Sequence, residues 1–266
     1  MKIIVCVKQV VDPEEPPASF GVDEVANKIT LPPGVPSVIS PFDKQAVEAA
    51  LRVRDETGGT VTAISLGDSL DRSVLRDPLA MGSDELVILE DEAFEDGDAW
   101  STAYALAMGI KKIGDYGLIF CGRQESDWDD GQVGTYMASI LDIPCITVAK
   151  KIDVIDGKVK VERVTSDGHE VVEASLPAVI TVSNELGEPR YPTVKQTMQA
   201  RKIKPVVWNR DDIGVLEDQV GAAGRRVKLL KLFKPIRDTQ CEMIQGVSPE
   251  EAGANLAVKL REANLL

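Results

Sequence analysis

Leu118-Ile119-Phe120-Cys121, then Gly122-Arg123-Gln124-Glu125-Ser126-Asp127-Trp128-Asp129-Asp130-Gly131, then a segment of helical spacing from about Gln132 to Leu141, decides the fold class. A short unbroken apolar run suits a strand buried on both faces, as in a parallel sheet. The polar loop carries the chain from that strand into the helix, and the same unit recurs upstream. Ile3 to Val7 is a strand-sized apolar run, followed by a Pro- and Gly-containing loop and an amphipathic helix from about Pro41 to Glu56, with Ala46, Val47, Ala50 and Leu51 on one stripe. Val61 to Leu66 reads as a strand, about Ser69 to Met81 as a helix stopped by Gly82, Leu86 to Leu89 as a strand, and Asp98 to Ile113 as a helix. Repeated strand–loop–helix units predict an α/β fold with a doubly wound parallel sheet. Ligands bind such sheets beyond the carboxyl ends of the strands, near helix N-termini. The candidate segments are therefore the loops after Val7, after Leu66, and from Gly122 to Gly134.

The pattern changes at Lys150. Lys151 to Thr165 alternates β-branched and polar residues around Asp156-Gly157, a hairpin turn signal, and Glu170 to Glu173 and Ala178 to Val182 are further strand-like pieces. After Pro189 the chain turns basic and irregular, with Arg190, Lys195, Arg201, Lys202 and Lys204 close together. The remainder reads as a tail with a terminal helix from about Pro249 to Asn264. The expected division is an α/β nucleotide-binding domain over 1–205 and a C-terminal arm over 206–266.

The chain's 266 residues suffice for a sizeable core, and 44% hydrophobic with 27% charged residues is ordinary for a globular protein. A formal net charge of −13 argues against nucleic acid, because phosphate neutralisation needs clustered Lys and Arg. No apolar run approaches a membrane span, which predicts a cytoplasmic protein without membrane insertion. Cys6, Cys121, Cys145 and Cys241 form no CxxC pair, and with His169 as the lone histidine no metal cluster or disulfide framework is expected. Cys6 and Cys121 stand at strand ends, where a side chain can face a ligand.

In the Gly122–Thr135 loop, glycines allow close backbone approach and the following helix N-terminus offers N–H groups to an anion. The spacing is neither a Walker A loop nor a GxGxxG fingerprint. Its acids also suit capping and first-turn positions. No nucleophile–base–acid constellation stands out, and His169 in Ser166-Asp167-Gly168-His169 reads as a turn or strand residue.

Ser175-Leu176-Pro177-Ala178-Val179-Ile180-Thr181-Val182, then Asn184-Glu185-Leu186-Gly187-Glu188-Pro189-Arg190-Tyr191-Pro192-Thr193, ending Met198-Gln199-Ala200-Arg201-Lys202, resembles the signature of electron transfer flavoprotein β subunits, the group that includes the FixA proteins. VCVKQV at the start, SPFDKQAVEAALR, ISLG, LAMGSDE and GRQ…GQVG extend the resemblance over nearly the whole chain. It implies an adenine-nucleotide α-hydrolase-like sheet and a heterodimer with an α subunit that shares FAD. It also implies AMP, or a second FAD in electron-bifurcating members, in this subunit. The nucleotide positions it implies are Cys6, Ser40, Pro41, Phe42, Asp43, Leu66, Gly122, Arg123, Gln124, Asp127, Asp129, Gln132, Val133, Gly134 and Thr135. Val133, Gly134 and Thr135 would present N–H groups to phosphate, while Cys6, Phe42 and Leu66 would line the adenine slot. Glu185, Leu186, Gly187, Glu188, Pro189, Arg190 and Tyr191 match the loop that docks on an acyl-CoA dehydrogenase-type flavoenzyme, with Leu186 as its anchor. A buried leucine beside a turn is the other reading of Leu186. Glu162 and Arg163 match subunit-contact positions, and a solvated hairpin face explains them too.

The chain departs from the family in its phosphate loop. Trp128 stands where many members have a small residue, and Asp130 where they have a hydroxyl. A carboxylate repels phosphate unless it points away or holds a cation. The function implied is electron passage between flavin dehydrogenases and other carriers, redox-active only within the flavoprotein complex. The alternatives are an NADH-linked bifurcating subunit, toward which Gly67-Asp68-Ser69-Leu70-Asp71-Arg72-Ser73 leans, and a stand-alone nucleotide-binding α/β protein.

Overall fold

A computed structural model describes residues 1–16, 19–235 and 241–266. Pro17, Ala18 and residues 236–240, in the expected loop and tail, lie outside the described residues. The elements in chain order are β1 (Lys2–Cys6), β2 (Gln9–Val11), β3 (Gly21–Asp23), β4 (Lys28–Thr30), β5 (Ser37–Ile39), α1 (Pro41–Thr57), β6 (Thr60–Gly67), α2 (Asp77–Met81), β7 (Glu85–Glu90), α3 (Ala99–Ile113), β8 (Tyr116–Gly122) and α4 (Val133–Leu141). There follow β9 (Cys145–Ile155), β10 (Lys158–Thr165), β11 (Gly168–Ser175), β12 (Ala178–Val182), α5 (Val194–Ala200), β13 (Val206–Trp208) and α6 (Pro249–Glu262).

Nine strands form one sheet in the order β11-β10-β9-β12-β8-β1-β6-β7-β13. The strands from β9 to β13 across that order pair in parallel, and β9, β10 and β11 close one side as antiparallel hairpins. The chain leaves β1 toward β6 and β7, then returns to β8 on the other flank of β1. Strand order therefore reverses between β1 and β8, and the crevice at their carboxyl ends is the switch point.

Alternation along the strands fills both faces. Ile3 and Val5 of β1, with Leu118 and Phe120 of β8, join a core under α1 and α2, while Ile4, Cys6, Ile119 and Cys121 join a second core under α3 and α4. Helix α1 begins at Pro41, the position where a missing N–H costs nothing, and ends at Gly58, whose φ is 75°. Helix α3 starts with a capping box made by Asp98 and Ser101.

The sequence reading needs several corrections. The helix expected over Ser69–Met81 is only a 3-10 turn, Val74–Arg76, and the short α2. Pro78 has no N–H and fits only a first turn, and the Asp71 carboxylate accepts the Ser73 N–H at 2.7 Å, a local bond that competes with helix. The "irregular" basic stretch contains α5, capped by Thr193 and Gln196. The loop after Val7 contains β2, which pairs with β5, and the β3–β4 hairpin.

Residues Met1–Gly21 and Ile29–Leu230 form one compact unit. Strand β13 extends the sheet, Ile213, Val215 and Val220 are buried in the second core, and Asp98 accepts the N–H groups of Arg226 and Val227 at 2.7 and 2.9 Å. The second unit comprises Val22–Lys28 and Lys231–Leu266. Inside it the Leu232 N–H donates to Asn27 Oδ1 at 2.7 Å, and α6, capped by Ser248, has no buried residue.

Candidate functional site at the strand switch point

The first turn of α1 lies across the β1–β8 crevice. The Ser40 N–H donates to the Lys8 carbonyl at 2.9 Å, and the Lys8 N–H donates in return to Asp43 Oδ2 at 2.8 Å. The other carboxylate oxygen, Oδ1, accepts the Gly122 N–H at 3.1 Å. One side chain therefore joins the loop after β1 to the end of β8. A Cβ on Gly122 would stand 2.6 Å from Asp43 Oδ1 and 2.8 Å from Phe42, so only glycine permits this approach. Burial pushes Asp43 up to about 7, against the opposing pull of its two N–H bonds and the Lys8 charge.

Beyond Gly122 the loop is tied mainly to itself. The Lys8 ammonium pairs with Asp127 at 2.8 Å, Gln124 Nε2 donates to Asp129 at 2.7 Å, and the Arg123 guanidinium lies 4.8 Å from the centre of the Phe42 ring. Glu125 accepts the N–H groups of Asp130 and Gly131 at 3.3 and 3.4 Å, and Asp130 accepts Gln132 Nε2 at 3.3 Å. Asp130 thus has a neutral hydrogen-bond partner within the loop and keeps its charge. Trp128 is half exposed.

Helix α4 opens at Val133 with Gln132 as an N-cap that makes no side-chain capping bond. The N–H groups of Val133, Gly134 and Thr135 precede the first intrahelical bond, Tyr136 N–H to the Gln132 carbonyl at 3.0 Å. Thr135 Oγ1 is engaged with the Gln132 carbonyl at 2.8 Å, leaving the backbone as the anion-binding feature. A Cβ on Gly134 would meet Thr181 Cγ2 at 2.8 Å, so glycine lets this turn settle on β12. Around the crevice, Ser40 Oγ, Arg123 Nε and Ser126 Oγ are buried without a protein partner. Orphaned polar atoms beside an uncapped helix N-terminus fit a polar, anionic ligand.

Cys6, Leu66 and Cys121 meet on one face of three neighbouring strands, in the core under α3 and α4. The Cys121 thiol, hydrogen-bonded to the free thiol of Cys6 and buried, is pushed well above the usual thiol range and stays neutral. Phe42 sits on α1 under Arg123. Ser40 and Asp43 are buried; the Asp43 carboxylate is spent on backbone N–H groups, whereas Ser40 Oγ has no protein partner. Pro41 is exposed, at the first position of α1. Sequence reasoning missed Lys8, Ser126 and Thr181. The lysine directly following β1 was a readable signal, whereas Thr181 lies inside an ordinary strand.

The loop after β12 hangs on the far part of α1. The buried Glu48 carboxylate accepts Arg190 Nε and Arg52 Nε, each at 2.7 Å, and the Arg190 N–H at 3.1 Å. Arg190 also reaches Asp55 at 2.9 Å, and Arg52 donates to the carbonyls of Leu186 and Glu188 at 3.0 and 3.4 Å. Burial alone would raise the Glu48 pKa, but the bonds from Arg190 and Arg52 hold it below the ordinary carboxylate value. Leu186 is buried, 8% exposed, whereas Tyr191 is 89% exposed, with Val194 and Met198 exposed just beyond it. Farther along, Arg163 donates to the Thr147 carbonyl and Oγ1 at 3.2 and 2.9 Å and to Glu170 at 2.5 Å. Val148, at φ 57°, makes a strained bulge whose N–H donates to Thr181 Oγ1 at 3.0 Å.

Residues 32–213 match the electron transfer flavoprotein domain. The chain is 38% identical, over all of both chains, to an electron transfer flavoprotein subunit beta from Thermoanaerobacterium thermosaccharolyticum. It is 37% identical, again over all of both chains, to the caffeyl-CoA reductase-Etf complex subunit CarD from Acetobacterium woodii. Protein FixA from Azotobacter vinelandii shares 34% identity over 92% of this chain and 88% of its own. The chain belongs to the electron transfer flavoprotein β-subunit family. Among the described residues no helix is long and apolar enough to cross a membrane.

Proposed function

We propose that this chain binds an adenine nucleotide at the β1–β8 switch point and pairs with an electron transfer flavoprotein α subunit to carry electrons to or from an acyl-CoA dehydrogenase-type flavoenzyme in the cytoplasm. The observation that carries the nucleotide is the uncapped start of α4 beside the buried, unpartnered atoms of Ser40, Arg123 and Ser126. The N–H groups of Val133, Gly134 and Thr135 would hold phosphate, and Cys6 and Leu66 would give the adenine an apolar wall. Gln124, Asp127, Asp129 and Gln132 brace the loop around it. FAD shared with the α subunit supplies the redox chemistry, and this chain contributes binding and orientation. The exposed residues of the β12–α5 loop, Glu185, Glu188 and Tyr191, offer a docking surface held on a fixed frame by Arg190.

Co-expression with an α subunit should yield a two-chain complex that holds FAD and is reduced by a flavoprotein dehydrogenase. A chain that stays alone, or a complex without flavin, rejects the reading. A second FAD in place of AMP is the other possibility, favoured by full-length similarity to a subunit of a named reductase–Etf complex. Two flavins per pair would select it, and one flavin with AMP would reject it.

A further inference from the structure

Asp43 is a buried carboxylate with no cation in direct contact among the described residues. Its two oxygens are spent on backbone N–H groups, those of Lys8 and Gly122, at 2.8 and 3.1 Å. Those residues follow β1 and end β8, the two walls of the switch-point crevice. Ser40, three residues earlier on the same helix turn, closes the bracket from the other side through the Lys8 carbonyl at 2.9 Å. Gly122 has no room for a side chain because the carboxylate occupies that space. The loop that starts at Gly122 ends at the free N–H groups of α4.

We propose that Asp43 is the positioning residue of the nucleotide site: ionised, it pins the loops after β1 and β8 at the spacing an adenylate requires, and it does so without touching the nucleotide. This rests on the nucleotide reading above. An amide in its place keeps one acceptor but turns an NH2 toward the second N–H, which loses its partner. A protonated carboxyl does the same through its O–H. The groups facing Asp43 are the Lys8 ammonium, the Glu125 carboxylate and the neutral thiol of Cys121 with Cys6 behind it, while Arg123 covers the adjoining Phe42. Asp43 itself changes charge near about pH 7. The site should therefore lose grip as pH falls through that value, in step with the pin.

The test is AMP binding to the nucleotide-stripped full-length chain by calorimetry at about pH 8.5 and about pH 6, either side of that titration, for wild type, Asp43→Asn and Gly122→Ala. At the higher pH, D43N should bind AMP about tenfold or more weakly, the cost of one lost charge-assisted bond. Wild-type affinity should fall toward that of D43N on acidification, narrowing the gap; protonation of AMP itself weakens or strengthens both alike. Gly122→Ala, which displaces the carboxylate without changing its charge, should also weaken binding. Equal affinities of wild type and D43N, a gap that is the same at both pH values, or an unaltered Gly122→Ala would overturn the positioning role. Failure of the wild type to bind AMP or ADP at either pH would instead overturn the nucleotide reading on which it rests.

Discussion

Helix α1 carries two buried carboxylates and treats them in opposite ways. Asp43, in its first turn, accepts only backbone N–H groups and is pushed up to about 7 by burial. Glu48, more deeply buried still, is gripped by Arg190 and Arg52 and held below its ordinary range despite burial. The same functional group thus builds a titratable pin at the strand switch point and a permanent ionic bracket behind the β12–α5 loop. The contrast teaches that proximity to one helix does not make two loops alike: one is tuned near neutrality, the other is locked.

Removing the bracket's cation gives the largest expected effect. Arg190→Ala leaves Glu48 buried with only Arg52 beside it and should cost about 2–3 kcal/mol in urea unfolding, with rapid amide exchange over 184–191. A loss below about 0.5 kcal/mol, the range of an ordinary surface change, would erase the contrast. Leu186→Ala follows. Because the side chain is buried, its truncation should destabilise the fold by about 2 kcal/mol. Tyr191→Ala should slow electron exchange with the flavoenzyme at little cost in stability. If Leu186→Ala instead left stability intact and abolished exchange, the leucine would be the docking anchor and not a packing residue.

The pH dependence of stability separates the carboxylates by sign. Glu48 has a lowered folded pKa, so its stabilisation is present above its ordinary value of 4.5 and fades as pH falls below it. Asp43 has a raised one, so the folded state holds the extra proton between 3.8 and about 7, and its contribution to stability is lost as pH rises across that window. Glu48→Gln should flatten the acid limb, and Asp43→Asn should flatten the decline toward neutrality. D43N should therefore fold at neutral pH while binding nucleotide poorly, since an ionised buried pin costs stability to serve the site. The smallest expected effect is that of Trp128→Ala, half exposed and without a ring partner among the described residues, at within about 0.5 kcal/mol.

The parallel strands, α1 and α4 were legible because burial on both faces leaves unbroken apolar runs, and α1 and α4 carry helical spacing. The loops chosen after Val7 and from Gly122 do converge, because strand order reverses between β1 and β8. The helix expected over Ser69–Met81 failed because periodicity said nothing of Pro78 or of the Asp71 bond to Ser73. Strand β13 was missed because a three-residue strand leaves almost no pattern. The pairing of Asp43 with Lys8 and Gly122 was invisible, since 35 and 79 residues separate the partners and backbone donors leave no mark in a sequence. The burial of Leu186 likewise depends on α1, through Arg52 and Arg190, and not on its neighbours in the chain.

The nucleotide at the switch point is tested most directly by denaturing the purified two-subunit complex and quantifying the AMP and FAD released per β chain. Beyond the shared flavin, one further adenine nucleotide per chain is expected, lost in Gly134→Ala, where the added Cβ would lift the first turn of α4 off Thr181. A wild-type complex that releases the shared FAD and no second adenine nucleotide would contradict the site.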